Sequence, residues 1–224
     1  MKKYTIIVAG GSGNRMNTNV PKQFMLLAGK PVLMHTIQRF FDADPSSEII
    51  VVLPQSEINR WKELCTQYSF TVSHHITEGG ENRFHSVKIG LALVNENSVV
   101  AIHDGVRPFV TADLINRAFS EAEEHGNAVP AIPVNESIRK VEGYTNEIMD
   151  RDSFVIIQTP QCFTSEILKK AYSSGYKNIY TDDASVVESC GEKIHLLEGE
   201  RENIKITYPV DLLFGESILK KNLL

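Results

Sequence analysis

The chain has 224 residues, 42% of them hydrophobic, which suits one α/β domain with a full core. A net charge of −5 argues against a nucleic-acid surface, so a polyanionic small ligand would have to be met by a local cluster of cations. Cys65, Cys162 and Cys190 are too few and too scattered for a disulfide framework or a zinc site and suit a reducing compartment; no stretch approaches a membrane span, and the expected location is cytoplasmic.

Strands and helices alternate along the chain. Residues 3–9 form a short, β-branched strand, and because its apolar run meets Gly10 so soon, Lys2-Lys3 opens a strand and not a signal peptide. Pro31 opens a helix over 31–41, with Val32, Leu33, Ile37, Phe40 and Phe41 as its apolar stripe. A strand at 48–53, a helix at 55–68 and a strand at 71–77 follow. After the Gly79-Gly80 break comes a helix at 83–94, then a strand at 98–103. Thr111 caps a helix that runs to Gly126, and a strand covers 128–134. This rhythm predicts a Rossmann-like, mostly parallel sheet with helices on both faces.

Between 135 and 157 the rhythm stops. Residues 137–141 and 156–158 read as extended around a turn at 142–146, a β-arm leaving a single domain of residues 1–224. A lone hairpin is not stable in water, so the arm needs a partner surface. A second copy of the chain is the simplest one, and packing on its own domain is the alternative. Further on, helices are expected at 164–173 and 182–189 (with Thr181 as cap), short strands at 193–197 and 204–207, and a closing helix at 210–221.

Ligands of such sheets bind outside the carboxyl ends of the strands. The first strand spills into Gly10, Gly11 and Gly13, followed by Arg15 and Lys22. A side-chain-free turn there leaves backbone N–H groups open to an anion, and the two cations fix where its charge sits. The spacing is not a dinucleotide fingerprint, because Met16 stands where the third glycine belongs, and no Gly-Lys-Ser/Thr closes a Walker A loop. Later strand ends add Gly80, Glu81, Arg83 and Ser86, then Asp104, Gly105 and Arg107, then Thr159, Thr181 and Lys205. A lysine flanked by Ile204 and Ile206 must point somewhere polar, which favours the site. Asp104 before Gly105 also suits an ordinary turn, His103 reads as packing, and His74-His75 lack a third metal ligand.

Taken together, G-G-S-G-N-R-M, P-K-Q-F, G-G-E-N-R-x-x-S-V, H-D-G-V-R-P, Q-T-P-Q-x-F, T-D-D-A-S and E-N-I-K-I-T, in this order along nearly the whole chain, resemble the 2-C-methyl-D-erythritol 4-phosphate cytidylyltransferases. The resemblance implies a glycosyltransferase-A-like nucleotidyltransferase fold and a homodimer whose β-arms embrace. It implies that Ala9, Gly10, Gly11 and Gly13 wrap the CTP phosphates, that Arg15 and Lys22 are catalytic cations, and that Lys205 contacts phosphate. It implies that Gly80, Glu81, Arg83 and Ser86 hold the cytidine and that Gly105 approaches the ribose. Asp104, Arg107, Thr159 and Thr181 would line the sugar-phosphate pocket, with Ser137 and Arg151 reaching it from the neighbouring subunit. Mg²⁺ would ride mainly on the CTP phosphates, since no carboxylate cluster builds a protein cage. Asn14 stands where many relatives have arginine, and Ser137 where threonine is usual. Ribitol-5-phosphate cytidylyltransferase shares most of these motifs and is the nearest alternative. A dinucleotide-dependent oxidoreductase and a non-catalytic nucleotide sensor are the more distant ones.

Overall fold

The computed structural model describes residues 1–11 and 20–221. In chain order the elements are β1 (Lys2–Val8), β2 (Leu26–Leu27), β3 (Lys30–Pro31), α1 (Val32–Ala43), β4 (Glu48–Leu53), α2 (Ile58–Gln67), β5 (His75–Glu78), α3 (Arg83–Leu91), β6 (Ser98–Asp104) and α4 (Ala112–His125). They continue with β7 (Asn127–Pro133), β8 (Arg139–Glu142), β9 (Thr145–Ile148), β10 (Val155–Ile157), β11 (Gln161–Thr164), α5 (Ser165–Ser173), α6 (Asp183–Glu188), β12 (Leu196–Glu198) and α7 (Pro209–Lys221).

The main sheet runs β10-β7-β11-β6-β1-β4-β5, with β12 also paired to β7. β6, β1, β4 and β5 are mutually parallel, whereas β11 is antiparallel to both β6 and β7 and β10 is antiparallel to β7. The central strands are buried on both faces, which is why they read as continuous apolar runs. Alternate residues feed two cores. Ile7, Val51 and Ala101 pack with α1, α2 and α4 on one face, and Ile6, Val52 and Ile102 pack with α3, α5 and α6 on the other. The Thr111 hydroxyl accepts from Leu114 N–H at 3.1 Å to start α4, and Gly126 ends it in the left-handed region at φ 86°, as glycine alone does cheaply.

Several boundaries differ from the sequence reading. β5 begins at His75, opposite Ile50, because the residues before it turn toward α2. Trp61 Nε1 donates to His74 Nε2 at 3.0 Å, and His74 Nδ1 bonds Val72 O at 2.7 Å. The arm is the hairpin β8–β9, with Arg139 opposite Ile148. Residues 155–157 are not its second strand but return to the main sheet against β7. β11 has no counterpart in the sequence reading, because four residues carry too little periodicity and neighbours on both sides fix it. Asp182, not Thr181, caps α6: its side chain accepts from Ser185 N–H in a reciprocal capping box. Residues 204–207 form no strand, although Ile206 N–H reaches Val106 O at 2.9 Å.

Candidate active site

Four parallel strands, β6, β1, β4 and β5, end at one level and are stitched there. Ala9 N–H donates to Val52 O at 2.9 Å, Gly105 N–H to Val8 O at 2.9 Å and Gly79 N–H to Leu53 O at 2.7 Å. Buried Gln23 holds the first turn by donating from Nε2 to Ala9 O at 2.8 Å. Behind the turn, a Cβ on Gly105 would sit 2.9 Å from that of Ala9, so only glycine lets the end of β6 press this close. In front, a Cβ on Gly10 would meet nothing within 4 Å, and Lys22 Cε lies 3.2 Å from where one on Gly11 would be. The lysine stem therefore lies over the bare turn.

This turn forms one wall of a cavity of about 340 Å³. Lys22 stands beside it, and the opposite wall is Gly80, Glu81, Arg83 and Ser86. The Ser86 hydroxyl braces that wall: it accepts from Gly80 N–H at 3.1 Å and donates to Asn82 O at 2.9 Å. A Cβ on Gly80 would fall 2.4 Å from His85 Cβ, so the loop must lack a side chain there.

The cavity floor is a charge cluster. Asp104 meets Lys205 Nζ at 2.9 Å, Arg107 Nε at 3.3 Å and Arg83 Nε at 3.8 Å. Burial would push its carboxyl up, but the three cations hold it well below the usual carboxylate range. Arg83 is itself held by both oxygens of fully buried Asp183, at 2.8 and 2.6 Å, and Tyr172 OH donates to the same carboxylate at 2.6 Å. Burial disfavours the guanidinium charge, yet Asp183 and then Asp104 more than offset this and push its pKa up. Arg107 Nη1 donates to Asn203 O at 2.8 Å, and Asn203 Nδ2 donates to Thr159 O at 2.8 Å. His103, beneath the cluster, is packed as expected. Its Nε2 bonds Arg107 O at 3.0 Å, so its unprotonated Nδ1 receives the Thr159 hydroxyl at 3.0 Å. Burial pushes its pKa down to about 4.

A second cavity of about 170 Å³ adjoins the first, and Arg107, Thr159, Gln161 and Thr181 help to line it. Arg83, Asp104 and Lys205 line both cavities. The site is thus two adjoining anion-suited chambers sharing one charged wall.

The model of the 2-C-methyl-D-erythritol 4-phosphate cytidylyltransferase family matches residues 4–221. The chain belongs to this family. The Bacteroides thetaiotaomicron member is 49% identical over 98% of this chain and 100% of its own. The one from Clostridium acetobutylicum is 39% identical over 97% of each chain. The crystal structure of the Thermus thermophilus member superposes with a TM-score of 0.81 at 30% identity, covering 98% of this chain and 100% of that one. The Francisella tularensis member gives 0.82 at 28% identity, covering 97% of this chain and 100% of that one. These names favour methylerythritol phosphate over ribitol 5-phosphate as the family's acceptor, and the oxidoreductase and sensor readings fall away.

Of the residues the family resemblance singles out, the structure gathers Ala9, Gly10, Gly11, Lys22, Gly80, Glu81, Arg83, Ser86, Asp104 and Lys205 around the larger cavity. Arg107, Thr159 and Thr181 join at the smaller one. Gly13 and Arg15 lie outside the described residues. Gly105 lies under the turn, not on the cavity wall. Ser137 and Arg151 flank the arm and line neither cavity of their own chain; Arg151 Nη1 bonds Asn135 O at 2.7 Å. Gln23, Asp183 and Asn203 brace the cations and the turn and are not among the site residues that the sequence singles out. Each nevertheless stands inside a quoted motif, so the motifs carried a signal that residue type alone did not.

Proposed function

We propose that the chain transfers the cytidylyl group of CTP to 2-C-methyl-D-erythritol 4-phosphate, releasing pyrophosphate, a step of isoprenoid biosynthesis. The observation that carries this reading is the wall shared by two cavities. CTP fits the larger one, with its phosphates over the Ala9–Gly11 turn and its base toward Gly80 and Glu81. The polyol phosphate fits the smaller one, against Arg107, Thr159 and Thr181. The two phosphate groups then face each other across Arg83, Asp104 and Lys205.

Two anions must approach for a phosphate oxygen to attack the α-phosphorus in line with the leaving pyrophosphate. Their repulsion, and the charge that builds on the α-phosphoryl oxygens, are offset by fixed cations. Lys22 on one side and Lys205 on the other supply that charge, with Arg15 as the third cation of the set. Positioning does the rest, so no general base is needed. The larger cavity offers carboxylate oxygens sparingly: exposed Glu81, and Asp104 already engaged by cations. That donor set fits a Mg²⁺ ion carried mainly on the triphosphate oxygens. When bound, the ion offsets triphosphate charge.

The exposed β8–β9 arm suits a homodimer, in which Ser137 and Arg151 would enter the partner's acceptor cavity. Three free cysteines suit a reducing cytoplasm. Among the described residues no helix is long and apolar enough to cross a membrane. The decisive assay is pyrophosphate release from CTP with methylerythritol phosphate, with ribitol 5-phosphate, or with neither. Release should require the first; equal or faster release with the second would reassign the acceptor, and release with neither would make the chain a CTP hydrolase.

A further inference from the structure

A second cluster of chemistry-bearing side chains lies away from both cavities. Glu121 and His125 stand four residues apart on α4, hence on one helix face. His195, just before β12, reaches the same point. His195 Nε2 lies 2.9 Å from Glu121 Oε2, and His125 Nε2 lies 3.3 Å from the same oxygen. One ligand atom from each of the three lies within 4.8 Å of the other two, and the two imidazole rings are 4.1 Å apart at 31°. All three side chains are more than a third exposed, so an ion can reach them from solvent.

We propose that Glu121, His125 and His195 form a binding site for a divalent transition-metal ion of the zinc, copper or nickel kind. Two imidazole nitrogens and one carboxylate oxygen are the donor set these ions prefer, and hard cations such as Mg²⁺ do not. Ligand atoms around tetrahedral zinc at a bond length near 2.05 Å are about 3.3 Å apart. The 3.3 Å spacing from His125 to Glu121 already matches this, the 2.9 Å spacing from His195 reaches it by opening about 0.4 Å, and the solvent side leaves a fourth position for water.

The scaffold around the ligands is rigid. His195 N–H donates to buried Asn127 Oδ1 at 2.8 Å, and its carbonyl accepts from Val129 N–H at 2.9 Å. α4 is fixed by fully buried Ala118, Phe119 and Ala122. Glu124 Oε1, 4.0 Å from His125 Nε2, adds negative charge at the rim. The cluster lies at the pole opposite the cavities: the Met1 amino group, where β1 begins, bonds Glu123 Oε1 at 3.0 Å, whereas the turn stands at the far end of β1, about 20 Å along the strand. An ion here would tie the end of α4 to the β7–β12 edge and take no part in cytidylyl transfer.

The test uses the untagged full chain, stripped with chelator and titrated with ZnCl2 by calorimetry. A parallel CuCl2 sample is read by electron paramagnetic resonance. One saturable equivalent of Zn²⁺, nitrogen hyperfine structure from Cu²⁺ and a metal-dependent rise in melting temperature are expected. His195→Ala and Glu121→Gln should each weaken Zn²⁺ binding by ~100-fold or more, at the upper end of what loss of an outer-shell partner costs. Both should keep wild-type cytidylyl transfer, which shows that they fold. Binding unchanged in His195→Ala would place the ion elsewhere, and no saturable binding by the wild type would refute the site.

Discussion

A cation beside bare backbone and a histidine kept neutral by burial act in opposite ways on the same site. Lys22 lies over Gly11 with its stem 3.2 Å from where a Cβ would be, and a charge so placed is worth most when the phosphoryl oxygens gain charge. Lys22→Ala should lower kcat by roughly 10²–10³-fold, the usual loss for one transition-state donor, with the melting temperature unchanged; near-normal turnover would remove Lys22 from the chemistry. His103 carries no charge in the fold, and its worth shows against pH. Its pKa falls from 6.5 to about 4 because burial disfavours the imidazolium. Below pH 6.5 the unfolded chain takes up a proton that the folded chain refuses, so stability is complete above that pH and drains as pH falls toward 4. The loss is roughly 3 kcal/mol over this window. Urea midpoints measured from pH 7 to 4 should show this slope in the wild type and lose it in His103→Gln. An unchanged slope would mean that other groups carry it.

At the scale of elements, the ends were harder to read than the middles. Central strands such as β4 were legible to the residue because an unbroken apolar run means burial on both faces. β11 and the start of β5 were not, since partners distant in sequence decide them. The cap of α6 lies one position beyond the one the sequence suggests, because Thr181 and Asp182 are both good caps. Only the fold shows that the Asp182 carboxylate reaches Ser185 N–H at 2.9 Å while Thr181 offers its own N–H to Ser185 Oγ. The candidate site was legible for a different reason. Its glycines and Asp104 lie at the ends of β1, β5 and β6, and those ends fall within a residue of where the sequence places them, whereas Lys205 lies in a segment that forms no strand and is legible only from its two isoleucine neighbours. Its braces, such as Asp183 under Arg83, were hidden because a buried carboxylate looks in sequence like any helix-start acid. Asp182→Ala should cost about 1 kcal/mol for the cap, and more if the bond from Gln161 Nε2 to Asp182 Oδ2 at 2.9 Å is not replaced. Thr181→Ala should cost about 0.5 kcal/mol or less, as substitutions outside such features do. Chemical denaturation of the two variants checks the order, and a reversed order would restore Thr181 as the cap.

For the whole molecule the arm is the part its own chain leaves uncovered. Every residue of β8 and β9 is exposed, and Val141, Tyr144 and Ile148 expose 68%, 108% and 77% of their surface. Two strands alone do not hold together in water, and three apolar side chains pointing away from any core cost solvation unless another surface meets them. In the proposed homodimer a second copy would supply that surface and would bring Arg151 to the smaller cavity, which it does not line in its own chain. If so, dimerisation and acceptor binding are one property. The wild type should sediment as a dimer at micromolar concentration, and the triple variant Val141→Ser, Tyr144→Ser, Ile148→Ser as a monomer. That variant should keep its affinity for CTP, because the larger cavity proposed to hold CTP is lined by residues of one chain. Its KM for methylerythritol phosphate should rise about tenfold or more, the cost of one charge-assisted contact. Arg151→Ala should reproduce that KM rise while remaining a dimer. A monomeric variant with an unchanged acceptor KM would show that each chain builds its site alone and that the arm serves assembly only.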